Sequence, residues 1–541
     1  MEFHVYDTTL RDGAQQEGLN LSVADKLAIA RHLDGLGVGF IEGGWPGANP
    51  KDTEFFRRAV SELDLKHARL AAFGSTRRAG VRAADDPQVA ALRDSGASVV
   101  TLVAKSHDRH VELALRTTLE ENLAMIRDTV SHLREEGQQV FLDAEHFFDG
   151  YRANRDYAME VLRTAYEAGA EVVALCDTNG GMLPGWVSDV VHDVRETTQG
   201  AVGIHCHNDT GCAVANSLAA VEAGAMHVQG CINGYGERTG NADLVSVVAN
   251  LQLKLGREVL PTGLLGEATR VAHAVAEVTN VPPAGRQPYV GASAFTHKAG
   301  LHASAIKVDP DLYQHMDPAA VGNDMRLLVS DMAGRASIEL KGRELGYDLS
   351  DDRDLVTRVT ERVKEAEQRG YTFEAADASF ELLLIEEVEG ARPAYFEVES
   401  WRVISEARGG GQAASTGSGA STTEAIVKIH ADGVRHVSTG EGNGPVNALD
   451  QALRAAITRA FPVVADFDLI DFKVRIFDQG HGTDAKTRVL IETSDGVTSW
   501  TTVGVGSNVI EASWEALVDG LTFGLRRHVS KTTPAGAVAV E

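Results

Sequence analysis

Two histidines separated by a single residue are the most chemically suggestive feature of this sequence. His205 and His207 lie in the run Gly203 to Asp209, at the end of a predicted strand. Alternate residues of a strand point to the same face, so both imidazoles would lie on one side of the sheet. Neutral imidazole nitrogens are suitable ligands for a divalent metal ion. The spacing therefore predicts a metal site that needs a further ligand from another strand.

The first predicted strand ends in charged residues that could supply this ligand. The run Asp7 to Gly13 contains Arg11 and Asp12. An isolated Asp–Arg pair is most often a surface ion pair. Combined with two histidines, however, the carboxylate of Asp12 would complete a facial set that leaves positions open for substrate. Such a set binds Zn²⁺, Mn²⁺, Co²⁺ or Mg²⁺, and the sequence does not choose among them.

Polar residues after three other predicted strands are candidates for substrate chemistry. Glu145 lies nearest the end of the fifth strand, where a carboxylate that does not bind metal could accept a proton. Thr178 follows the sixth strand and could donate to a substrate carboxylate, although a simple turn role is equally compatible. A Gly-rich run follows the last strand, where barrels commonly hold phosphate. Its candidate residues are Gly236, Glu237 and Asn241.

Short β-branched runs alternate with helical patterns over the first half of the chain and would position these residues. Eight strands are predicted, over 3–8, 39–43, 69–73, 98–104, 139–145, 171–177, 202–207 and 227–233. Alternation of this kind is typical of a parallel α/β architecture. Eight units most economically close into a (β/α)₈ TIM barrel, whose active site lies at the carboxyl ends of the strands. A doubly wound open sheet is the alternative.

The chain beyond the predicted barrel divides into three further parts. Residues 1–260 are assigned to the barrel, 261–400 to a mostly helical linker region, 401–423 to a flexible Gly/Ser-rich linker and 424–541 to a C-terminal α+β domain. Within the linker region the pattern predicts a helix near 354–369 and a strand over 380–384.

Two Gly-rich turns in the C-terminal part are related by an internal repeat. Each has the pattern of a strand, a turn and the start of a helix. Backbone N–H groups at a helix N-terminus can bind a carboxylate or a phosphate, but two plain strand-to-helix turns are an equal alternative. The candidate residues are Gly440, Gly442, Gly444, Gly504, Gly506 and Asn508.

Composition excludes several classes of function. The 51 Lys and Arg residues against 77 Asp and Glu give a formal net charge of −26, which opposes nonspecific binding of nucleic acid. No stretch is apolar for long enough to predict a transmembrane helix. The N-terminal residues lack the basic and apolar regions of a signal peptide. We therefore expect a cytoplasmic protein with small-molecule partners and with neither nucleic-acid nor membrane partners.

Three motifs taken together resemble a known enzyme family. The runs Asp7 to Gly13, His205 to Asp209 and Gly234 to Asn241, in this order, are similar to the metal-dependent, Claisen-condensing branch of the TIM-barrel metallolyases. This branch contains the 2-isopropylmalate, homocitrate and citramalate synthases. The C-terminal part resembles the amino-acid-sensing regulatory domain of the family. The segments 43–47, 141–150 and 508–514 are most similar to the (R)-citramalate synthase type.

The resemblance implies that acetyl-CoA, as co-substrate, condenses with a 2-oxoacid to give a 2-alkylmalate and CoA. For the citramalate type the oxoacid is pyruvate and the feedback amino acid is isoleucine. Bulky pocket walls at Trp45, Phe147 and Phe148 favour pyruvate. The alternatives are a 2-isopropylmalate synthase acting on 2-oxoisovalerate and a metal-dependent acyl-CoA lyase or aldolase. A non-enzymatic sensor with a degenerate barrel would lack a metal ligand, and none of the candidate ligands is missing.

The resemblance also implies roles for individual residues. Arg11 would stabilise the alkoxide that develops on the oxoacid, Glu145 would take the acetyl proton, and Thr178 would bind the oxoacid carboxylate. The implied metal ligands are Asp12, His205 and His207, with Asn241 as a further ligand.

A segment beyond the barrel resembles the part of the family that reaches into a neighbouring subunit. In the run His297 to Ser304, the matching histidine is His302, and Tyr313 matches a helper tyrosine. Ala303 and Ser304 replace the amide and the acid that the family usually has there. Insertion from a neighbouring subunit requires a homodimer.

Overall fold

The computed structural model describes residues 3–330, 334–406, 422–477 and 485–532. The chain forms two compact units, one from Met1–Phe295 with His315–Met325 and the other from Thr296–Gln314 with Arg326–Glu541. The helices of the described residues are too short or too polar to cross a membrane.

Eight parallel strands close the first unit into a barrel. They are β1 (His4–Asp7), β2 (Phe40–Gly44), β3 (Arg69–Ser75), β4 (Val99–Lys105), β5 (Gln139–Glu145), β6 (Val172–Asp177), β7 (Ala201–Cys206) and β8 (His227–Gly230). Each strand pairs with the next, and β8 pairs with β1. The predicted (β/α)₈ barrel is therefore confirmed. The last strand ends before residue 233 because Ile232–Gly234 forms a 3₁₀ turn.

Helices follow the strands and cover the outside of the barrel. They are α1 (Val23–Leu36), α2 (Pro50–Glu62), α3 (Pro87–Arg93), the short α4 (Asp108–His110), α5 (Leu119–Glu135), α6 (Phe147–Ala153), α7 (Arg155–Ala168), α8 (Pro184–Thr197), α9 (Ala213–Glu222), α10 (Leu244–Leu253) and α11 (Ala268–Thr279). Ser22 and Asp25 form a capping box at the start of α1. Gly169 ends α7 with φ 105°, a left-handed conformation that glycine adopts without strain.

Packed rings fill the amino end of the barrel interior. Tyr6, Phe40 and Phe141 are buried there together with small aliphatic residues of β3, β4 and β6. A larger apolar cluster lies between the sheet and the surrounding helices. His4 and His227 pack among these rings, and the other end of the interior, at the carboxyl ends of the strands, is where the predicted site lies.

The second unit contains a helical part and an α+β part. Its helices are α12 (Gly300–Val308), α13 (Arg335–Glu344), α14 (Arg353–Arg369), α15 (Asp377–Glu389), α16 (Pro445–Ile457) and α17 (Val509–Thr532). The short strands β9 (Thr296–His297) and β10 (Arg326–Leu327) pair with each other. Two antiparallel sheets follow, formed by β11 (Phe396–Glu406), β12 (Thr422–Ala431) and β13 (Val434–Gly442), and by β14 (Asp468–Phe477), β15 (Lys486–Ser494) and β16 (Ser499–Gly506).

Two predictions for this unit have different outcomes. The helix expected near 354–369 is confirmed as α14. The strand expected over 380–384 is wrong, because these residues lie within α15. The run is apolar without alternation, and such a run does not distinguish a buried strand from a buried helix. Residues 401–406 belong to β11, and residues 407–421 of the predicted linker lie outside the described residues.

Candidate metal and active site

Asp12, His205 and His207 meet at the carboxyl end of the barrel. Asp12 Oδ2 lies 3.4 Å from His205 Nε2 and 3.7 Å from His207 Nε2. All three side chains are buried, and their potential ligand atoms lie within 4.8 Å of one another. A metal ion about 2.0 to 2.2 Å from each ligand atom fits between groups at such separations. The three residues therefore fit the predicted divalent metal site.

A hydrogen-bond chain fixes the orientation of His205. Gln229 Nε2 donates to Asp143 Oδ1 at 2.8 Å, which leaves Gln229 Oε1 to accept the proton of His205 Nδ1, also at 2.8 Å. A neutral imidazole that carries its proton on Nδ1 has its lone pair on Nε2, and this atom faces Asp12. Partners of this kind are the usual means by which proteins orient a metal-binding histidine.

Asn241 offers a buried oxygen beside the cluster. It lies opposite His207 in an isolated antiparallel bridge, and its Nδ2 donates to the Tyr235 carbonyl at 3.0 Å. Its Oδ1 is buried without a hydrogen-bond partner among the described residues. A Cβ on Gly236 would lie 2.3 Å from Asn241 Nδ2, so glycine is needed there for this approach. An unpaired buried acceptor costs free energy, which a metal ion or a substrate group would recover.

Arg11 brings a fixed positive charge to the cluster. Its Nε lies 2.5 Å from Glu42 Oε2, its Nη1 lies 3.3 Å from Asp12 Oδ2, and its guanidinium lies over the Phe73 ring at 3.8 Å. Burial alone would raise the pKa of Asp12, but Arg11 and His205 outweigh it and hold this pKa below its ordinary value. Burial and then the charge of His205 lower the pKa of His207 to about 4, which favours the neutral imidazole.

Glu145 and Thr178 lie at the carboxyl ends of the neighbouring strands β5 and β6. Glu145 ends β5 and forms an ion pair with Lys105 at the end of β4. Thr178 Oγ1 accepts the backbone N–H of His146 at 2.8 Å, so the threonine hydroxyl retains its proton for another acceptor. Glu145 and Lys105 line a cavity of about 470 Å³ together with Trp45, Ser75 and Val103.

Comparisons with known proteins identify the family. An (R)-citramalate synthase of Streptomyces coelicolor is 68% identical over 97% of each chain, and one of Synechocystis sp. is 48% identical over 96% of each chain. The chain belongs to the (R)-citramalate synthase family. An HMG-CoA lyase structure from Bacillus subtilis covers 52% of this chain and 95% of its own, with 17% identity and a TM-score of 0.45.

Family matches along the chain agree with the predicted resemblance, which is confirmed. Residues 2–274 match the HMGL-like family, residues 289–371 match the homocitrate synthase post-HMGL domain-like family, and residues 374–525 match the LeuA allosteric (dimerisation) domain. Relatives at 45 to 68% identity over nearly the full length are (R)-citramalate synthases. The alternative of a 2-isopropylmalate synthase is therefore less well supported.

Other residues that the family resemblance implicates lie outside the metal cluster. His302 and Tyr313 belong to the second compact unit, where their rings stack with centroids 4.1 Å apart. Glu237 is exposed in the Gly-rich loop, and its contact with substrate stays a prediction. Its neighbour Arg238 pairs with Asp209 and donates to the Thr178 carbonyl at 2.9 Å.

The repeated glycines of the regulatory domain pack against helices. A Cβ on Gly440 would lie 2.4 Å from the Ala452 nitrogen, and one on Gly504 would lie 2.0 Å from the Ala512 carbonyl oxygen. A Cβ on Gly442 would lie 2.6 Å from the Ala448 nitrogen, and one on Gly506 would lie 2.8 Å from the Ala512 nitrogen. Gly444, by contrast, has open space around it. Close approach of strand and helix therefore explains most of these glycines.

Three polar side chains of the site have no sequence motif of their own. Glu42 holds Arg11, Gln229 holds His205, and Lys105 pairs with Glu145. Glu42 and Gln229 lie within β2 and β8, and both are fully buried. A charged or amide side chain within an otherwise apolar barrel strand is a signal that could have found these two, because buried polar groups need partners.

We expect Gln229→Leu to weaken metal binding and condensation by roughly 10- to 100-fold, because it removes the group that orients His205. Metal content after gel filtration and kcat measured at saturating metal would check this. Gln138→Leu is the matched control, since Gln138 is also buried but donates to backbone carbonyls of Leu92 and Arg93. Equal metal loss in both variants would contradict the orienting role of Gln229.

Proposed function

We propose that this chain condenses acetyl-CoA with pyruvate to give (R)-citramalate and CoA, a step of isoleucine biosynthesis by the citramalate route. The observation that carries the proposal is the buried cluster of Asp12, His205 and His207 with Arg11 beside it, in a chain of the (R)-citramalate synthase family. A cytoplasmic location stays a prediction.

The donor set suits a divalent metal ion such as Zn²⁺, Mn²⁺, Co²⁺ or Mg²⁺. Two imidazole nitrogens and one carboxylate oxygen converge, and the Asn241 Oδ1 atom is buried and unpaired. A divalent metal bound there would polarise the keto group of the oxoacid as a Lewis acid. The bridge between His207 and Asn241 supports the use of Asn241 as a further ligand.

The side chains around the cluster have distinct proposed tasks. Arg11, fixed by Glu42 and Phe73, stabilises the alkoxide that develops when the acetyl carbon attacks. The Thr178 hydroxyl donates a hydrogen bond to the oxoacid carboxylate. Glu145 accepts a proton from the acetyl methyl group, and the thioester product is then hydrolysed by water to release CoA.

The size of the oxoacid is set by aromatic side chains, although not by all of those expected. Phe147 and Phe148 are fully buried in the cluster between sheet and helices, so they do not supply the predicted pocket walls. Trp45 and Phe73 replace them, with ring centroids 5.4 Å apart and with Arg11 over the Phe73 ring. These rings leave room for the methyl group of pyruvate more readily than for a branched chain.

A thiol-release assay with acetyl-CoA and a panel of 2-oxoacids tests this function. We expect kcat/KM for pyruvate to exceed that for 2-oxoisovalerate by at least about tenfold, with measurable activity on 2-oxobutyrate, because each methylene is worth only about 1 to 3 kcal/mol. A kcat/KM for 2-oxoisovalerate that equals or exceeds the value for pyruvate would make the chain a 2-isopropylmalate synthase.

We also propose that two copies of the chain form a homodimer, with the segment of one subunit that carries His302 and Tyr313 reaching the partner's active site. The match to the LeuA allosteric (dimerisation) domain supports pairing. Exposed apolar side chains in that segment support an intermolecular contact. They include Leu301, Val308 and Leu312, of which Leu301 is 74% and Val308 is 81% exposed.

Isoleucine is the proposed feedback effector, bound at the first of the two Gly-rich turns. A cavity of about 630 Å³ opens beside Gly444 at the start of α16, a helix without a side-chain cap. Asp450 and Arg454, which form an ion pair with each other at 2.7 Å, line this cavity and would exchange that pair for the effector's ammonium group and carboxylate, while Phe467 offers an apolar wall. At the second turn, Asn508 Oδ1 already accepts two N–H groups of α17.

We expect Asp450→Asn to raise the isoleucine concentration for half-inhibition by at least about tenfold without changing the uninhibited kcat, because a lost hydrogen bond to a charged group costs about 1.5 to 3 kcal/mol of binding free energy. Arg454→Lys should act in the same direction. Arg435→Lys is the control, because Arg435 pairs with Glu399 on the surface. If neither cavity variant changed the isoleucine concentration for half-inhibition, the effector would have to bind at another site.

A further inference from the structure

An ammonium group is paired with the proposed general base. Lys105 lies directly opposite Glu145 in the register of β4 and β5, and the two side chains form an ion pair. Their side chains are 21% and 25% exposed, so the pair is screened less than one on the open surface. Both face the cavity in which the acetyl thioester has to reach Glu145.

The pair is not needed to join the two strands. The ladder of β4 and β5 runs in unbroken parallel register from Val99 with Gln139 to Lys105 with Glu145. Beyond it, Ser106 Oγ donates to the Glu145 carbonyl at 2.7 Å, and Asn122 Nδ2 donates to the Lys105 carbonyl at 2.9 Å. Backbone and neighbouring side chains therefore hold both residues in place, which leaves the ammonium group available for chemistry.

Two other cationic side chains line the same cavity, and both form ion pairs with carboxylates that have no proposed role in the reaction. Arg77 lies 2.8 Å from Glu121 and 2.7 Å from Asp128, and Arg78 lies 3.3 Å from Asp86. Lys105 differs because its carboxylate partner is the group that is to be neutralised. When Glu145 accepts a proton, Lys105 loses its counter-charge at the same moment.

We propose that Lys105 stabilises the enolate of the acetyl thioester. In this step the methyl C–H bond breaks and its proton moves to the Glu145 carboxylate. The C–H electron pair becomes the carbon–carbon double bond, while the carbonyl π electrons move onto the thioester oxygen. One negative charge thus leaves Glu145 and appears on that oxygen. The ammonium group stays paired throughout, first with the carboxylate and then with the enolate oxygen, so the charge in this partly buried site remains balanced.

This inference rests on the proposed condensation and deepens it, because the stabilised group belongs to the acetyl donor rather than to the oxoacid. Arg11 serves the oxoacid oxygen in the following step, when the enolate attacks. Lys105 therefore stabilises the negative charge on the thioester oxygen, and Arg11 stabilises the negative charge on the oxoacid oxygen.

The test compares Lys105→Met, which removes the charge and keeps much of the stem, with Lys105→Arg, which keeps the charge. We expect Lys105→Met to lower kcat by about 100-fold, and Lys105→Arg to recover at least about tenfold of this loss. The deuterium isotope effect on kcat/KM with trideuterated acetyl-CoA should increase in Lys105→Met, since C–H cleavage becomes more rate-limiting. KM for pyruvate should stay within about threefold of its original value. Lys105→Gln replaces Lys105→Met if the latter fails to fold.

A second comparison separates enolate stabilisation from orientation of the base. In a Glu145→Gln background, Lys105→Met should still slow the residual reaction, whereas a residue that only orients Glu145 would have no further effect there. Arg134→Met is the control, because Arg134 forms an ion pair with Glu171 at the opposite end of the barrel. An active wild-type enzyme whose Lys105→Met variant keeps its kcat and isotope effect would overturn the inference. A wild-type enzyme that releases no thiol would instead overturn the proposed function.

Discussion

His205→Ala should lower kcat of the condensation by about 1000-fold or more while the barrel remains folded. The substitution removes one of the nitrogen ligands and with it most of the Lewis-acid polarisation of the keto group, a loss of about 4 kcal/mol in transition-state stabilisation. His205 lies at the polar end of the interior, away from the aromatic layer that packs the barrel, so circular dichroism should show an intact fold. Steady-state thiol release and metal analysis would measure the two effects.

The control for this experiment is His192→Ala, since His192 is exposed on α8. Chelation of the wild-type enzyme should abolish activity, and addition of a divalent metal should restore it. The same addition should not restore His205→Ala. If metal analysis showed that the chelated enzyme contained no metal and this enzyme were still fully active, the metal-dependent mechanism would be ruled out.

Glu145→Gln is expected to lower kcat by roughly 10²- to 10⁴-fold and to leave KM for pyruvate nearly unchanged. The amide keeps the size of the side chain but cannot accept the acetyl proton, whereas the oxoacid is bound by other groups. Thiol release would report kcat, and binding of pyruvate without acetyl-CoA could be followed by calorimetry.

Glu171→Gln provides the same chemical change at the amino end of β6, where Glu171 pairs with Arg134. It should retain wild-type kcat. If both Glu→Gln variants were fully active, another group would have to accept the proton. The cavity beside Glu145 would then no longer be the proposed binding place of the acetyl thioester.

The barrel and the convergence of Asp12, His205 and His207 could be predicted because each rests on a local pattern. Strand alternation, together with the single residue between His205 and His207, places both rings on the interior face without knowledge of the rest of the fold. The carboxylate of Asp12 follows from its position after the first strand. Since all strands of a parallel barrel end on the same side, residues far apart in the chain converge there.

Partners that depend on tertiary register could not be predicted in the same way. Gln229 reaches His205 only because β8 lies beside β7, and Lys105 reaches Glu145 only through the alignment of β4 with β5. The error at Phe147 and Phe148 has a related origin. The helix that begins at Phe147 turns both rings into the core, and this orientation depends on the tertiary fold.

Among the described residues, an aromatic layer fills the amino end of the barrel interior. Because Tyr6, Phe40 and Phe141 are buried there, we expect substrates to reach Asp12 from the carboxyl ends of the strands. If the oxoacid binds beside Asp12 and the acetyl thioester binds nearer the carboxyl ends of the strands, we expect ordered binding, with the oxoacid before acetyl-CoA and CoA released before the dicarboxylic acid.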